Sequence, residues 1–282
     1  MAKKDKDDQF EKNGALRVLM VGDVVGKAGR DVVVQRMADI KERYAIDFVV
    51  CNAENAAGGS GLTPEIFNAL MKAGVDCVTL GDHAFRQKSF LPVLSSSDQR
   101  VVRPANVSPE AAGRGWTILE APANGNRPAV KIGIAALLGK VFMQPPGDNP
   151  LVAVDRIVER FADVRVRFLD FHAEATSEMQ MMGRYLDGRF SAVLGTHTHV
   201  ATADEQILPN GTAFQCDVGM TGAFESIIGR KIECVIEHFR TCRPTTFEVA
   251  SEDPRLNGTI VDVDPDFGKA KAIRRLNFAI DD

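Results

Sequence analysis

The amino-acid sequence predicts an α/β fold in which helices pack against a largely parallel sheet. Three observations support this prediction: short apolar runs alternate with helical stretches, a polar cluster follows each of several runs, and 45% of the 282 residues are hydrophobic. The succession of strand, polar loop, helix and strand is typical of βαβ units. A chain of this composition, with 26% charged residues, has enough apolar side chains for a sizeable core and is not a disordered one.

Charge and cysteine content restrict the class of protein further. Lys and Arg number 34 against 38 Asp and Glu, which gives a net charge of −4 and argues against long nucleic acid as a partner. The longest apolar runs, such as residues 132–138, are far shorter than the roughly 18 residues of a membrane-spanning helix. The five cysteines show no paired spacing, so we expect reduced thiols and a cytoplasmic protein.

The first half of the chain begins with a polar segment and continues with alternating elements. Residues 1–14, MAKKDKDDQFEKNG, are mostly charged and are expected to be a disordered tail, with residues 15–282 forming one domain. Thr63 and Pro64 suit the N-cap and the first turn of a helix. The predicted elements are, in order, strand 16–21, helix 29–44, strand 48–51, helix 64–74 and strand 77–80.

The middle of the chain, residues 95–128, is rich in Pro, Gly and Asn and contains the only tryptophan, Trp116. We expect shorter strands and loops there, with a candidate small cap. Beyond it the predicted elements are strand 130–138, helix 155–164, strand 166–171, helix 177–186, strand 192–194 and β-rich pieces at 212–216 and 259–263.

A short polar cluster follows each of five predicted strands. The clusters are GD at 22–23, NAEN at 52–55, GDH at 81–83, DFHAE at 170–174 and GTHTH at 195–199. Ligands of open α/β sheets bind at the carboxyl ends of the strands. The five clusters are therefore expected to converge on one site.

Four of the five histidines, His83, His172, His197 and His199, lie in these clusters. His238, in the amphipathic stretch ECVIEHFR, is expected to be an ordinary structural or surface residue. Imidazoles suit first-row divalent metals, so the clustered histidines are candidate metal ligands.

The pair His197 and His199 is the most specific local feature. In an extended segment, residues two apart point to the same side. We therefore expect both imidazoles on one side of a strand end, with Thr196 and Thr198 facing away.

Carboxylates complete the donor set, since Asp23, Glu54 and Asp82 follow three of the strands. With three histidines they form a mixed oxygen and nitrogen set of about seven candidate donors, too many for one tetrahedral metal but suited to two metals that share a carboxylate. Such metal pairs catalyse in-line displacement at phosphorus. The clusters contain no thiolate, which argues against structural zinc. Substrate-binding residues remain unknown at this level: Lys27 and Arg30 are cations near the site, but GDVVGKAGR does not match a phosphate-binding loop.

Six motifs, in chain order, carry a resemblance to a known family: GDVVGKAGR, NAENAAGGSGLT, GDHAF, DFHAEATSE, DGRFSAVLGTHTHVATADE and DVGMTG. The chain resembles, from about residue 16 to residue 278, the YmdB-like bacterial metallophosphoesterases of the calcineurin-like superfamily. The resemblance implies a four-layer α/β/β/α metallophosphoesterase sandwich. It also implies two divalent metal ions, iron or manganese, and hydrolysis of phosphodiesters such as 2′,3′-cyclic nucleotides.

The resemblance implies a role for each candidate residue. Asp23, Asn55 and His199 would bind the first metal, Glu54 would bridge both, Asp82, His172 and His197 would bind the second, and His83 would be the catalytic acid. In the implied mechanism, a hydroxide that bridges the metals attacks phosphorus while His83 protonates the leaving oxygen. Oligomers of identical chains are common, so a homo-oligomer is also expected.

One residue departs from the family pattern. The family usually has Asn before the catalytic histidine, where this chain has Asp82, and AFRQ lacks the Trp-Asp that often follows. The extra negative charge predicts tighter metal binding and weaker activation of the phosphate. Two alternatives therefore remain open: a phosphomonoesterase of nucleotides or small phosphates, and a metal-binding regulatory or RNA-binding protein with weakened catalysis.

Overall fold

The structure is a computed structural model that describes residue 12, residues 14–144 and residues 147–281. The predicted disordered tail lies outside the described residues, except for Lys12 and Gly14. The described strands are β1 (Leu16–Val21), β2 (Asp23–Val24), β3 (Phe48–Asn52), β4 (Cys77–Thr79), β5 (Val101–Val102), β6 (Trp116–Ala121), β7 (Val130–Leu138), β8 (Val166–His172), β9 (Ala192–Thr196), β10 (Gln206–Ile207), β11 (Ala213–Gln215), β12 (Met220–Ala223), β13 (Pro254–Val263) and β14 (Ala270–Ala279). The described helices are α1 (Gly26–Arg43), α2 (Pro64–Ala73), α3 (Leu91–Leu94), α4 (Pro150–Arg160), α5 (Thr176–Tyr185) and α6 (Ile232–Thr241).

The strands form two sheets. The first has the order β2-β12-β13-β1-β3-β4-β5, with β14 paired to β13, and its strands β1, β3, β4 and β5 run parallel. The second has the order β10-β11-β9-β8-β7-β6, in which β7, β8, β9 and β11 run parallel. The parallel strands thus form one half of the first sheet and the centre of the second, as expected of βαβ units.

Successive side chains of a strand point to opposite faces of its sheet, and here both faces of each sheet are covered. On β1, Val18 packs between the sheets against residues such as Ile134 and Phe168 of the second sheet. Its neighbour Leu19 packs on the opposite face in the core that includes Met37 of α1.

The second sheet repeats this arrangement. Its outer face packs Leu137 and Leu169 against Ile157 of α4 and Met182 of α5. Helices, sheet, sheet and helices therefore follow one another in four layers, which confirms the predicted α/β/β/α sandwich. No helix of the described residues combines the length and the apolar character that crossing a membrane requires.

Helix boundaries agree with the prediction where a capping signal is strong. Thr63 caps α2 by accepting a hydrogen bond from the Ile66 amide, and the helix ends at a left-handed Gly74. The prediction of a helix over 155–164 was wrong at both ends, because α4 begins at Pro150 and ends at Arg160. The side chain of Asn149 accepts a hydrogen bond from the Leu151 amide, and Pro150 occupies the first turn. The Asn-Pro pair is therefore the sequence signal for the start of this helix.

The segment 95–128 contributes to both sheets, since it contains β5 of the first and β6 of the second. Trp116 of β6 packs edge-on against Phe161, with ring centroids 5.8 Å apart. The single domain over 15–282 and the small cap stay predictions, as does the cytoplasmic location. All five cysteines, each of them described, are free.

Candidate metal centre

The carboxyl ends of the parallel strands of both sheets meet at one edge of the sandwich. The structure brings the predicted donors together there, in three groups whose ligand atoms lie within 4.8 Å of one another. Within the described residues, the groups are Asp82 with His172 and His197, Asp23 with Glu54 and His172, and Glu54 with Asp82 and His83. The prediction that the polar clusters converge on one site is thus confirmed in geometry.

One corner of the cluster consists of the three residues expected at the second metal. His172 Nε2 lies 3.0 Å from Asp82 Oδ1 and 3.0 Å from His197 Nδ1. His197 Nδ1 is in turn 3.6 Å from Asp82 Oδ1. Two imidazole nitrogens and a carboxylate oxygen therefore face one small volume.

The opposite corner contains the residues expected at the first metal. His199 Nε2 lies 3.9 Å from Asp23 Oδ1 and 3.3 Å from the amide nitrogen of Asn55. The amide oxygen of Asn55 instead faces His83 Nδ1 at 2.7 Å. Ligation of a cation by Asn55 therefore requires the amide to turn over, which exchanges its oxygen and nitrogen.

Glu54 lies between the two corners, with 1% of its surface exposed. Its Oε1 is 3.2 Å from His172 Nε2, and its Oε2 accepts a hydrogen bond from the His83 amide at 2.9 Å. Asn55, the next residue, places its amide nitrogen 3.3 Å from Glu54 Oε1. The Glu54 carboxylate is therefore close to the donors of both corners.

His83 lies at the rim of the cluster, with 25% of its side chain exposed. Its Nδ1 is 3.4 Å from Glu54 Oε1 and its Nε2 is 3.6 Å from Asp82 Oδ2. The hydrogen bond to Glu54 raises the pKa of His83, although burial acts in the opposite direction. Of the four clustered histidines, His172 is by contrast fully buried.

The expectation for His197 and His199 was wrong in its geometry. Strand β9 ends at Thr196, and the two histidines adopt the left-handed conformation, with φ of 110° and 66°. They consequently reach opposite corners of the cluster instead of one side of an extended strand. Thr196 does not face away either, because its hydroxyl lies 2.8 Å from His172 Nδ1.

Three groups that the sequence did not single out hold the His197–His199 loop. Glu174 Oε2 lies 3.1 Å from His197 Nε2, and the Ile228 carbonyl accepts from His199 Nδ1 at 3.0 Å. Asp217 accepts from both the amide and the hydroxyl of Thr198 at 2.8 Å. Glu174 is the last residue of the polar cluster DFHAE and Asp217 the first of the motif DVGMTG, and these were the signals for them in the sequence.

A glycine lets β4 approach the cluster closely. A Cβ atom on Gly81 would lie 2.4 Å from His172 Nε2 and 2.5 Å from Glu54 Oε2. These distances are far below van der Waals contact, so the donors fill the space that any side chain at position 81 would need.

Burial and mutual charge shift the protonation of the cluster. Burial raises the pKa of Asp23 to about 7, although the charge of His172 acts against it. Burial acts likewise on Glu54, but His172 outweighs it and holds the pKa of Glu54 well below its usual range. Burial opposes the charge of His172, yet Glu54 and Asp82 hold its pKa well above the usual range. Burial lowers the pKa of His197 and of His199.

The donor set fits divalent cations. Asp23 and Glu54 are buried acids, 0% and 1% exposed. Buried carboxylates are costly unless a cation compensates them. Mixed carboxylate oxygens and imidazole nitrogens are ligands of first-row divalent metals.

A groove adjoins the cluster. A cavity of about 570 Å³ is lined by His199 together with apolar side chains, among them Val200, Phe224 and Ile228, and by the amide side chain of Asn277. Val200 and Ile228 are 59% and 51% exposed, so they offer apolar surface beside the donors.

The other cationic and imidazole candidates have different partners. Lys27 pairs with Asp31, and Arg30 donates to the Ala56 carbonyl. His238 lies on α6, where its Nδ1 meets the Arg243 carbonyl at 2.9 Å. The expectation that His238 lies apart from the site is therefore correct.

Comparisons with known proteins agree with the sequence resemblance. The sequence profile of a family described as YmdB-like protein matches residues 19–276. A 2′,3′-cyclic-nucleotide 2′-phosphodiesterase of Bacillus subtilis is 41% identical over 93% of this chain and 96% of its own length.

Solved structures show the same likeness. A phosphatase from Mycoplasma pneumoniae is 32% identical, with a TM-score of 0.86 over 94% of both chains. An NAD nucleotidase from Haemophilus influenzae is 11% identical, with a TM-score of 0.55 over 94% of this chain and 56% of its own. That last likeness concerns the fold alone.

Proposed function

The chain belongs to the YmdB-like family, and we propose that it is a di-metal-dependent phosphodiesterase acting on small phosphodiesters such as 2′,3′-cyclic nucleotides. That it is a phosphoric ester hydrolase follows from its relatives, which are phosphodiesterases or phosphatases. The observation that carries the finer proposal is the convergence of three carboxylates and three imidazoles on one edge of the sandwich, with a fourth imidazole, that of His199, 3.9 Å from Asp23.

The residues would share two cations between the two corners of the cluster. We assign Asp23, Asn55 and His199 to the first ion, Glu54 to both, and Asp82, His172 and His197 to the second. The mixed oxygen and nitrogen donors suit iron or manganese. When bound, such ions supply Lewis-acid activation of the phosphodiester and of the attacking water.

His83 is the proposed catalytic acid. The Asn55 side-chain amide lies 2.7 Å from His83 Nδ1 and would still contact the ring after turning its oxygen to the first ion. A quarter of the His83 side chain is accessible from the rim. Nε2 is then the nitrogen that hands a proton to the leaving oxygen of the substrate. A general acid of this kind contributes about 10²–10⁴ in rate.

The groove beside His199 supports a small substrate with an organic moiety. Its volume of about 570 Å³ falls in the range of small-molecule sites. Apolar side chains with one or two amides are the lining that a base and a ribose would contact. The net charge of −4 does not favour a long polyanion there.

The test is a substrate panel on the purified protein loaded with Mn²⁺ or Fe²⁺. We expect turnover of 2′,3′-cyclic AMP and of bis-p-nitrophenyl phosphate, loss of turnover after chelation, and recovery when the metal is returned. Glu54→Gln should lose bound metal and activity together, whereas Glu65→Gln, on the exposed first turn of α2, should lose neither.

The panel also separates the alternatives. Faster hydrolysis of p-nitrophenyl phosphate and of nucleoside monophosphates would instead indicate a phosphomonoesterase. Stoichiometric metal without turnover of any ester would favour the regulatory or RNA-binding protein. Turnover that survives complete removal of the metal would contradict the di-metal proposal itself.

A further inference from the structure

Four polar side chains lie beneath the cluster, at the boundary between the two sheets. They are Asn52 of β3, Thr79 of β4, Asp170 of β8 and Thr196 of β9, each 0–2% exposed. Asp170 Oδ2 accepts from the Asn52 amide at 3.0 Å and from the Thr79 hydroxyl, and Asp170 Oδ1 is 2.6 Å from Thr196 Oγ1. None of the four is among the proposed metal ligands.

The hydroxyl of Thr196 has three partners, which together fix the direction of each hydrogen bond. A hydroxyl has one proton and two lone pairs. The Asn52 amide nitrogen, 3.3 Å away, can only donate, so it uses one lone pair. Asp170 acts as the acceptor of this group, since its Oδ2 accepts from the Asn52 amide and the Thr79 hydroxyl. Its Oδ1 takes the single proton of Thr196. The remaining lone pair faces His172 Nδ1 at 2.8 Å, so this nitrogen must carry a hydrogen.

The orientation of Asn52 is itself fixed. Its side-chain oxygen accepts from the Glu54 amide at 3.2 Å, which leaves its nitrogen to face Asp170 and Thr196. One chain of hydrogen bonds with fixed directions therefore runs from the Glu54 amide through Asn52 and Thr196 to the ring of His172.

A hydrogen held on Nδ1 makes Nε2 the nitrogen that gives up its proton and offers a lone pair when a cation binds. Nε2 is the atom of His172 that faces the cluster, 3.0 Å from Asp82 Oδ1 and 3.2 Å from Glu54 Oε1. A partner on the outer nitrogen of a ligating histidine sets its tautomer and ring orientation.

We propose that Asp170, acting through the hydroxyl of Thr196, is a positioning residue that holds His172 with Nδ1 protonated and Nε2 turned to the metal centre. The link to metal affinity rests on the proposed function. The order of the hydrogen bonds is a property of the chain alone, so the two can fail separately.

The chain offers a closely matched pair of variants. Thr196→Val and Thr79→Val each remove one hydroxyl from Asp170 and keep the shape of the side chain. Only the first removes the contact to His172. Thr196→Ser restores the hydroxyl and serves as the conservative rescue.

The first measurement is long-range ¹H–¹⁵N NMR of protein labelled with ¹⁵N-histidine, which contains only five imidazoles. His172 is identified by its absence from the spectrum of His172→Gln. We expect an Nδ1–H proton protected from exchange with water in the wild-type and Thr79→Val proteins, with and without Zn²⁺. In Thr196→Val this protection should be lost.

The second measurement is the dissociation constant for Zn²⁺ alone, obtained by competition with a chelator. Thr196→Val should weaken binding about 10- to 100-fold, as loss of an outer partner of a ligating histidine does. Thr79→Val and Thr196→Ser should stay close to the wild type. Circular dichroism of the metal-free proteins reports whether each variant folds.

Two outcomes would overturn the proposal: a wild-type His172 protonated on Nε2 alone, or equal losses of affinity in Thr196→Val and Thr79→Val. If Thr196→Val does not fold, the proposal is tested by the wild-type spectrum, which must show the Nδ1–H proton of His172, and by Thr196→Ser, which must keep that proton and the wild-type Zn²⁺ affinity. A wild-type protein that binds no Zn²⁺ would contradict the proposed function, whereas the Nδ1–H signal would still test the order of the hydrogen bonds.

Discussion

At the scale of single residues, the three histidines proposed as metal ligands are oriented in the same way. Each ring uses its outer nitrogen for a partner outside the cluster: His172 contacts Thr196, His197 contacts Glu174 and His199 contacts the Ile228 carbonyl. The inner nitrogens are thereby aimed before any cation arrives, so binding costs little side-chain entropy. His83 differs, because its Nδ1 contacts Asn55 and Glu54 within the cluster, and a quarter of its side chain is exposed at the rim.

Replacing His83 separates catalysis from metal binding. We expect His83→Ala to lower turnover of 2′,3′-cyclic AMP by about 10²–10⁴, because the leaving oxygen loses its proton donor, with metal content unchanged by elemental analysis. His238→Ala, on the distant helix α6, is the control and should leave both unchanged. Loss of metal from His83→Ala would make His83 a ligand.

Replacing Asp82 by Asn, the residue usual in the family, tests the effect of this departure from the family pattern. Asp82 Oδ1 lies 3.0 Å from His172 Nε2, so its charge acts directly on a donor that we assign to the second ion. Asp82→Asn should bind Mn²⁺ more weakly, since one negative charge is lost, and should turn over faster at saturating metal. The control is Asp39→Asn, which makes the same change of charge at the surface pair with Arg36. Unchanged affinity with slower turnover would refute this interpretation of Asp82.

The residues that form the site could be predicted because potential metal ligands can be identified by residue type in the sequence. Metal ligands are few, and four of the five histidines stand in polar clusters that follow apolar runs. The conformation of His197 and His199 could not be predicted. Positive φ at a residue other than glycine is paid for by tertiary contacts, here the Thr198 bonds to Asp217, which lies 19 positions downstream.

At the scale of elements, β4 is the strand whose end the cluster packs against most closely. It is three residues long and followed by Leu80 and Gly81, after which Asp82 and His83 turn into the site. Because Gly81 has no side chain, Glu54 from β3 and His172 from β8 can meet over it. A side chain at position 81 would therefore displace donors at the corner where we propose the second ion.

Gly81→Ala should therefore damage the metal centre while sparing the fold. The added methyl would push His172 and Glu54 aside, and we expect Mn²⁺ affinity to fall about 10- to 100-fold with little change in circular dichroism. Gly222→Ala on β12 is the matched control, because its new Cβ would lie 3.4 Å from the nearest atom, an ordinary contact. Equal affinities in the two variants would contradict the close packing at β4.

Elements with local signals could be predicted and those that depend on distant partners could not. The predicted strands at 16–21 and 130–138 match β1 and β7, because continuous apolar runs indicate buried parallel strands. β14, in which polar and charged residues interrupt the apolar ones, was not predicted from the sequence. Its strand conformation comes from pairing with β13 over its whole length, which only the folded chain supplies.

At the scale of the whole molecule, the two sheets are joined by polar contacts at the end opposite the metal centre. Asp47, just before β3, accepts from the Arg17 amide of β1 at 2.9 Å and from the Asn124 side chain in the β6–β7 connection at 2.8 Å. Lys12 and Arg127 approach the same carboxylate at 2.5 and 3.3 Å. One buried side chain thus connects both sheets and the segment before β1.

The Asp47 cluster predicts an acid-sensitive contribution to stability. Burial opposes ionisation, but Lys12, the Arg17 amide and Asn124 outweigh it and lower the pKa of Asp47. A carboxyl whose folded pKa is lowered stabilises the fold above its unfolded pKa of about 3.9, and this stability is lost as pH falls through the folded pKa. Asp47→Asn should lower the free energy of unfolding by about 1–3 kcal/mol at pH 7.

Denaturant unfolding at a series of pH values measures this contribution. The difference between wild type and Asp47→Asn should shrink as pH falls below about 4, whereas Asp163→Asn, an exposed site, should show little difference at any pH. A difference that does not depend on pH would mean that the ionised form of Asp47 contributes nothing.

The layered architecture follows from the family resemblance and could not be obtained from periodicity. Apolar runs indicate buried strands, but they do not say which strands share a sheet. The pairing of Leu16 with Val263, at the two ends of the fold, decides that β1 lies at the centre of the first sheet.

That pairing also sets an order of events during synthesis. Asp23 lies in β2, whose partner is β12 at Met220–Ala223, and β1 lacks one neighbour until Val263 has been made. At about 5–20 residues per second, the intervening chain takes on the order of 10–50 s to synthesise. For that interval β1 has an open backbone edge and Asp23 has no fixed position. Cations can therefore be captured by the complete set of ligands only near the end of translation, and the nascent chain is most vulnerable to misassociation before then.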